Sequence, residues 1–105
     1  MIARAWHGVT DATKSDQYLE YLNMTGVPEY RATPGNQGVV VLRKLKAGKA
    51  HFLLFSFWDS MDDINKFAGD DAEKAKYYPG DKDFLLEFEP TAEHYELLVY
   101  DRKQS

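Results

Sequence analysis

One uninterrupted apolar stretch limits the folds open to this sequence more than any other segment does. Residues 51–58 read His-Phe-Leu-Leu-Phe-Ser-Phe-Trp, so a strand formed there presents apolar side chains on both faces. A strand with helices on one side and water on the other alternates apolar and polar residues. Residues 38–46, with several consecutive aliphatic residues, show the same lack of alternation. The two segments predict a sheet that is covered on both faces.

The chain around this stretch reads as strand, helix, strand, strand, helix, strand. Apolar, β-branched or aromatic segments bounded by turn residues predict the strands, at residues 2–9, 38–46, 49–58 and 93–101. Ala47-Gly48 reverses the chain between the second and third strands, which form a hairpin. This order matches a ferredoxin-like βαββαβ protomer, an α+β fold with a four-stranded antiparallel sheet and both helices on one face.

Local signals set the ends of the two predicted helices. The first helix ends or bends at Gly26 and Pro28. The second begins after Ser60, a good N-cap residue, and stops at Gly69. A further helical turn is predicted within residues 70–78.

This fold leaves the helix-free face of the sheet uncovered, although its strands are apolar there. One solution is that the loop at residues 81–90, which contains Phe84, Leu85, Leu86 and Phe88, folds over that face. The other is that a second copy of the chain packs its sheet against it. Large exposed apolar patches are rare on monomers, so we expect a homodimer.

Composition excludes several classes of function. The 105 residues predict one domain over residues 1–101 and a short tail at residues 102–105. The absence of cysteine excludes disulfides and thiolate metal sites. A net charge of −4 disfavours nucleic-acid and membrane partners. No apolar run approaches a membrane span, and the first residues lack a signal-peptide pattern, so we expect a cytoplasmic protein.

Histidine is the side chain best suited to proton transfer near neutral pH. His7 lies late in the first predicted strand and His94 early in the last. These strands are antiparallel neighbours in the predicted fold, so the two histidines can share one end of the sheet as a base or proton shuttle. Ordinary hydrogen bonding at strand ends is the alternative. With His51 on a third strand and no closely spaced pair, we expect no metal site.

Five aromatic residues at strand ends and on the second helix are candidates for a ligand pocket. Aromatic walls suit a flat aromatic ligand, and core packing is the alternative interpretation. Two of the five are consecutive in the chain and point in different directions, so they cannot both be core residues. The five are Trp6, Trp58, Phe67, Tyr77 and Tyr78.

Motifs spread over residues 1–100 carry a resemblance to a known family. They are Trp6-His7-Gly8, Ser56-Phe57-Trp58-Asp59-Ser60, Phe67-Ala68-Gly69-Asp70-Asp71, Tyr77-Tyr78-Pro79, Phe88-Glu89-Pro90 and His94-Tyr95-Glu96. The chain resembles the antibiotic biosynthesis monooxygenase-like family of the dimeric α/β-barrel superfamily. The resemblance implies a single domain of this type at residues 1–101 and a homodimer whose sheets form a barrel.

Two branches of this superfamily have a stated chemistry. One oxidises phenols or anthrones to quinones with molecular oxygen and no cofactor, in a dry aromatic pocket that promotes deprotonation. The other degrades heme with an Asn in the first strand, a Trp on the second helix and a His near that helix's end. Those positions fall on His7, Phe67 and Tyr77, so each has changed type, whereas Trp58 and Ser60 match. We therefore expect no heme and no other cofactor.

The resemblance implies a cofactor-independent monooxygenase-like enzyme that oxidises a small aromatic or phenolic molecule in a pocket between sheet and helices. Two sets of residues are expected there: His7, His94 and Tyr77 for catalysis, and Trp58, Phe67, Tyr78 and Trp6 for substrate binding. One alternative is a non-enzymatic dimeric module that binds a small molecule or acts in a stress response. Another is a heme-binding protein with a tyrosine or histidine ligand.

Overall fold

The computed structural model describes residues 1–101 and residue 103. The described chain forms β1 (Ile2–Asp11), α1 (Ser15–Met24), α2 (Gly26–Ala32), β2 (Asn36–Lys46), β3 (Lys49–Trp58), α3 (Met61–Ala68) and β4 (Glu93–Glu96). Two short 3-10 helices, Ala12–Lys14 and Pro79–Asp83, lie between these elements. In the described ranges, no helix is long and apolar enough to cross a membrane.

The strands form one antiparallel sheet in the order β2-β3-β1-β4. The predicted α+β, ferredoxin-like βαββαβ architecture is therefore confirmed. β3, the stretch that is apolar on both sides, lies inside the sheet between β1 and β2. Trp6 of β1 lies opposite Leu54, and His7 lies opposite Leu53. Because side chains alternate along a strand, this register decides which residues share a face.

The helices cover the face formed by the even-numbered residues of β1 and β3. Phe52 and Trp58 are completely buried there, together with Ile64 of α3. Tyr18 of α1 packs edge-on against Phe52, with ring centroids 5.2 Å apart. Each large apolar side chain buried in this way stabilises the fold by about 1.5–3 kcal/mol. The main hydrophobic cluster therefore lies on the helix side of the sheet.

The opposite face of the sheet, which we call the open face, carries no helix among the described residues. Val40, Leu42 and Leu53 expose 41, 44 and 38% of their surface there. The loop at residues 84–88 does not cover them. Leu85 is buried in the helix-side core, and Phe84 packs against tyrosines of α1. The prediction that the loop at residues 81–90 folds over this face is therefore wrong for the single chain.

Several boundaries differ from those predicted. β4 ends at Glu96 rather than at residue 101, because its pairing with β1 ends at Ile2. One further backbone bond, from the N–H of Leu97 to the carbonyl of Met1 at 2.9 Å, follows it. Residues 70–78 form a single hydrogen-bonded turn, in which the N–H of Lys74 donates to the carbonyl of Asp71 at 3.1 Å, and no helix. Backbone groups of Glu73 and Ala75 bond to residues 90–92 instead. The first predicted helix breaks, and a second one, α2, follows. Three residues of the predicted tail, 102, 104 and 105, lie outside the described residues.

Candidate functional site

His7 is the centre of a cluster of three ionisable side chains on the open face. β1 directs it away from the helices, since its partner Leu53 belongs to that face. Its Nδ1 bonds to the carboxylate of Glu89, which precedes β4. Its Nε2 lies 3.1 Å from Nδ1 of His51 on β3. The two imidazole planes are nearly parallel, at 16°. Through these two bonds the three side chains form a continuous hydrogen-bonded row.

Hydrogen-bond chemistry assigns the protons in this row. An ionised carboxylate only accepts hydrogen bonds, so Nδ1 of His7 donates to Glu89. The other nitrogen of a neutral imidazole is an acceptor, so His7 Nε2 accepts from Nδ1 of His51. The lone pair of His51 is then on Nε2, which bonds to no group in the described part of the chain. We call this row the Glu89–His7–His51 relay, and it ends in a free base.

Two cavities border His7 on the open face. The lysine cavity, of about 340 Å³, is lined by the relay histidines and by Leu42, Leu53, Lys44 and Lys46 among others. The glutamate cavity, of about 580 Å³, is lined by Phe55, Glu89, Glu93 and Tyr95 among others. Both volumes lie within the range of about 300–1,000 Å³ that is usual for small-molecule sites. His7 borders both cavities, but His51, which carries the free nitrogen, borders only the lysine cavity.

Trp58 and Phe67 lie in the helix-side core and not beside the relay. Nε1 of Trp58 donates to the hydroxyl of Ser56 at 2.8 Å, so its polar atom is satisfied internally. Phe67 stacks on Tyr30 with ring centroids 4.2 Å apart, and Nζ of Lys76 lies 4.6 Å from the Phe67 centroid. The cavity lined by Trp6, Phe67 and Tyr78 holds about 20 Å³, which is space for about one water. The side chains expected to line a helix-side pocket fill it instead.

Tyr77 and Tyr78 point in different directions, as the sequence predicts. Tyr77 packs edge-on against Trp6, with ring centroids 6.2 Å apart, and donates its hydroxyl to the backbone carbonyl of Glu89. Tyr78 donates its hydroxyl to Glu29 on the helix side. Burial raises the pKa of both tyrosines, so both are neutral donors at pH 7. Tyr77 therefore positions the residue that begins the relay.

Trp6 belongs to the helix-side face but also borders the glutamate cavity. Its ring lies over Gly8, where an added Cβ would come within 2.3 Å of it. Three consecutive residues therefore have three roles. Trp6 supplies the ring, His7 belongs to the relay, and Gly8 leaves room for the Trp6 ring.

His94 does not meet His7. It lies opposite Arg4 in the β1–β4 pair, and Arg4 is a buried helix-side residue, so the two histidines occupy opposite faces. Burial lowers the pKa of His94, and the charge of Arg4 lowers it further. Its Nε2 is buried without a hydrogen-bond partner among the described residues. His94 is therefore outside the relay.

Sequence reasoning missed His51 and Glu89 as site residues. His51 could have been found from the sheet topology, because β3 neighbours β1 and the two strands place His51 and His7 on one face. Glu89 gives no such signal, because it lies in an irregular segment without periodicity.

No family model and no curated protein matches the chain. Its structure matches seven solved chains. One is a crystal structure of a mutant of MhuD with two manganese protoporphyrin IX molecules bound per active site. The TM-score is 0.62, with 14% sequence identity, over 98% of this chain and 100% of that chain. The two chains share a fold. At this identity, the likeness carries no information on shared chemistry.

The described residues do not bring together the three positions that the resemblance aligns with a heme site. They are His7 on the open face, Phe67 in the core and Tyr77 packed against the core beside Trp6. The hydroxyl of Tyr77 is engaged by a backbone carbonyl. A cavity of about 20 Å³ is far too small for a porphyrin.

Proposed function

We propose that the chain is a cofactor-independent monooxygenase-like enzyme of the antibiotic biosynthesis monooxygenase-like family. It oxidises a small phenolic molecule with oxygen on the open face of the sheet, rather than between sheet and helices. The observation that carries the proposal is the Glu89–His7–His51 relay, whose free nitrogen lies beside a cavity of about 340 Å³. The fold shared with MhuD is consistent with the family.

An oriented base is what this reaction requires from the protein. His51 Nε2 removes a proton from an activated CH₂ of the substrate, which an anthrone carries and a phenol carries in its keto tautomer. The resulting carbanion gives its electron pair to oxygen. The peroxide takes the proton back from His51, and elimination of water from the hydroperoxide removes the second C–H. CH₂ and O₂ thus become C=O and H₂O. Glu89 stabilises the protonated imidazoles through His7, as the third group of a catalytic triad does.

The substrate ring is held by the apolar side chains around the relay. Leu53 borders both cavities, and Phe55 and Tyr95 border the glutamate cavity. Such walls bind a flat ring and exclude water from the reacting carbon. The cavities are open on the side away from the sheet, and we propose that a second copy of the chain closes them in a homodimer.

Oxygen uptake with a panel of anthrones and dihydroxynaphthalenes tests the proposal. We expect the wild-type chain to consume one O₂ for each quinone formed. The His51→Gln variant should lower kcat by about a hundredfold or more, because a positioned base contributes that much. The matched control is His94→Gln, which removes a histidine from the opposite face. Equal losses in the two variants would remove the relay from the mechanism.

Two other outcomes would favour the alternative functions. Saturable binding of a phenol without oxygen uptake would indicate a binding module that uses the same cavities. A saturable Soret shift at one hemin per protomer, abolished by His51→Gln, would indicate a heme protein and contradict the cofactor-free mechanism. We expect no such shift, because the positions that the resemblance aligns with the heme branch carry other residue types here, His7, Phe67 and Tyr77.

A further inference from the structure

The two cavities beside His7 differ in charge. The lysine cavity is bordered by Arg43, Lys44 and Lys46 and by no acidic residue. The glutamate cavity is bordered by Glu89 and Glu93 and by no lysine or arginine. Since the chain as a whole has a net charge of −4, a basic recess is a local property of this surface.

The strand register places two ammonium groups next to the free end of the relay. Lys44 lies directly opposite His51, and Leu42 lies opposite Leu53. Directly opposed residues have Cβ atoms about 4.5–5.5 Å apart. Lys46 follows two positions further along the same face. A ring resting on the two leucines thus has the relay base at one edge and the lysines within reach of a substituent.

Neither lysine is neutralised by the described residues. The ion pairs formed there use His7, Arg43, Lys66 and Lys76 as the basic members. Arg43 also borders the cavity, but its Nη1 is 2.7 Å from the carboxylate of Asp16 on α1. The cavity therefore offers two unpaired ammonium groups beside an apolar floor.

We propose that the ligand of the lysine cavity is an aromatic carboxylate, with its carboxylate bound by Lys44 and Lys46 and its hydroxyl-bearing ring directed to His51. This inference rests on the proposed function, of which it names the substrate class. A carboxylate accepts charge-assisted hydrogen bonds from both ammonium groups, whereas a neutral phenol leaves them to water. Both lysines are exposed on the single chain, so salt weakens such ion pairs there.

The test compares two ligands with the same ring and hydroxyl group, 1-hydroxy-2-naphthoate and 1-naphthol, by calorimetric titration of the full chain. We expect the naphthoate to bind about tenfold more tightly than the naphthol and to lose affinity with added salt. The double variant Lys44→Gln/Lys46→Gln should lower naphthoate affinity about tenfold and leave naphthol affinity unchanged. Lys14→Gln/Lys66→Gln is the matched control, because it removes the same charge outside the cavity.

Three results would overturn the inference. They are equal affinities for the two ligands, equal losses in the two double variants, and no saturable naphthoate binding at millimolar concentration. Because the readout is binding, the result is separable from catalysis. Oxygen uptake without a carboxylate preference would keep the proposed function and reject this inference. Carboxylate-dependent binding without oxygen uptake in the presence of any phenol would keep this inference and reject the proposed function.

Discussion

Glu29 is the acidic member of a polar cluster on the helix side of the sheet. Nζ of Lys76 and the hydroxyl of Tyr78 both donate to its carboxylate. The same Nζ donates to the carbonyl of Phe67 at 3.0 Å. Burial opposes ionisation of Glu29, but the two hydrogen bonds and the charge of Lys76 outweigh it and lower its pKa. The cluster should therefore be sensitive to acid.

We expect Glu29→Gln to destabilise the fold at neutral pH but not in acid. A carboxyl group whose pKa is lower in the folded chain stabilises it above the unfolded pKa of about 4.3. That contribution is lost as the pH falls through the folded pKa. It should amount to about 1 kcal/mol or less, since the side chain is 38% exposed and screened by solvent. Urea unfolding of both proteins across this pH range measures it, and a difference independent of pH would contradict the argument.

Strand periodicity predicts that Trp6 and His7 lie on opposite faces, and they do. It does not predict which of them faces the helices, because that depends on the register with β3. For this reason the sequence could indicate His7 as a base but not its position on the open face. The pairing with Glu89 depends on an irregular loop held by Tyr77, which no local pattern specifies.

α3 depends on its N-terminal cap, because it has only eight residues, Met61–Ala68, with which to hold its place. The backbone N–H of Asp63 donates to the hydroxyl of Ser60 at 3.3 Å. The helix carries Ile64 and Phe67 into the core. Loss of the cap should therefore lower the stability of the whole domain.

We expect Ser60→Ala to lower the free energy of unfolding by about 1 kcal/mol, the usual contribution of such a cap. The corresponding fall in Tm is about 4–8 °C for a domain near this size. Ser60→Asn, which retains a side-chain acceptor, should keep Tm within a degree or two of the wild-type value, and thermal unfolding by circular dichroism compares the three. An equal fall in both variants would show that the hydroxyl stabilises α3 by some other means.

Elements defined by local signals were predictable, and those defined by distant partners were not. β3 spans the predicted residues 49–58, and Ser60 is the predicted N-cap of the helix that follows. The predicted extent of β4 was wrong, because its end depends on where β1 begins. The segment at residues 73–75 likewise takes its shape from residues 90–92.

At the scale of the whole molecule, the exposed apolar residues of the open face predict a dimer. Val40, Leu42 and Tyr95 expose 41, 44 and 52% of their surface on the single chain. We expect the wild-type chain to be a dimer by light scattering, and Val40→Glu to be a folded monomer. A carboxylate without a partner between two packed sheets costs several kcal/mol.

The control for this variant is Met24→Glu, which places the same charge on α1, where Met24 is 78% exposed. It should remain a dimer. A monomeric wild-type chain, or dimers of both variants, would show that the open face is not the contact surface. A second copy is predictable from the sequence, because residues 51–58 are apolar at both odd and even positions.

The relay and the hydrophobic core lie on opposite faces of one single-layered sheet. Even-numbered residues of β1 such as Trp6 pack in the helix-side core, and His7, an odd-numbered residue, faces the proposed ligand site. Substitutions on the ligand side therefore leave the helix-side packing in place. Selection, or a protein engineer, can vary the chemistry of this surface through neighbouring codons of one strand without first reinforcing the fold.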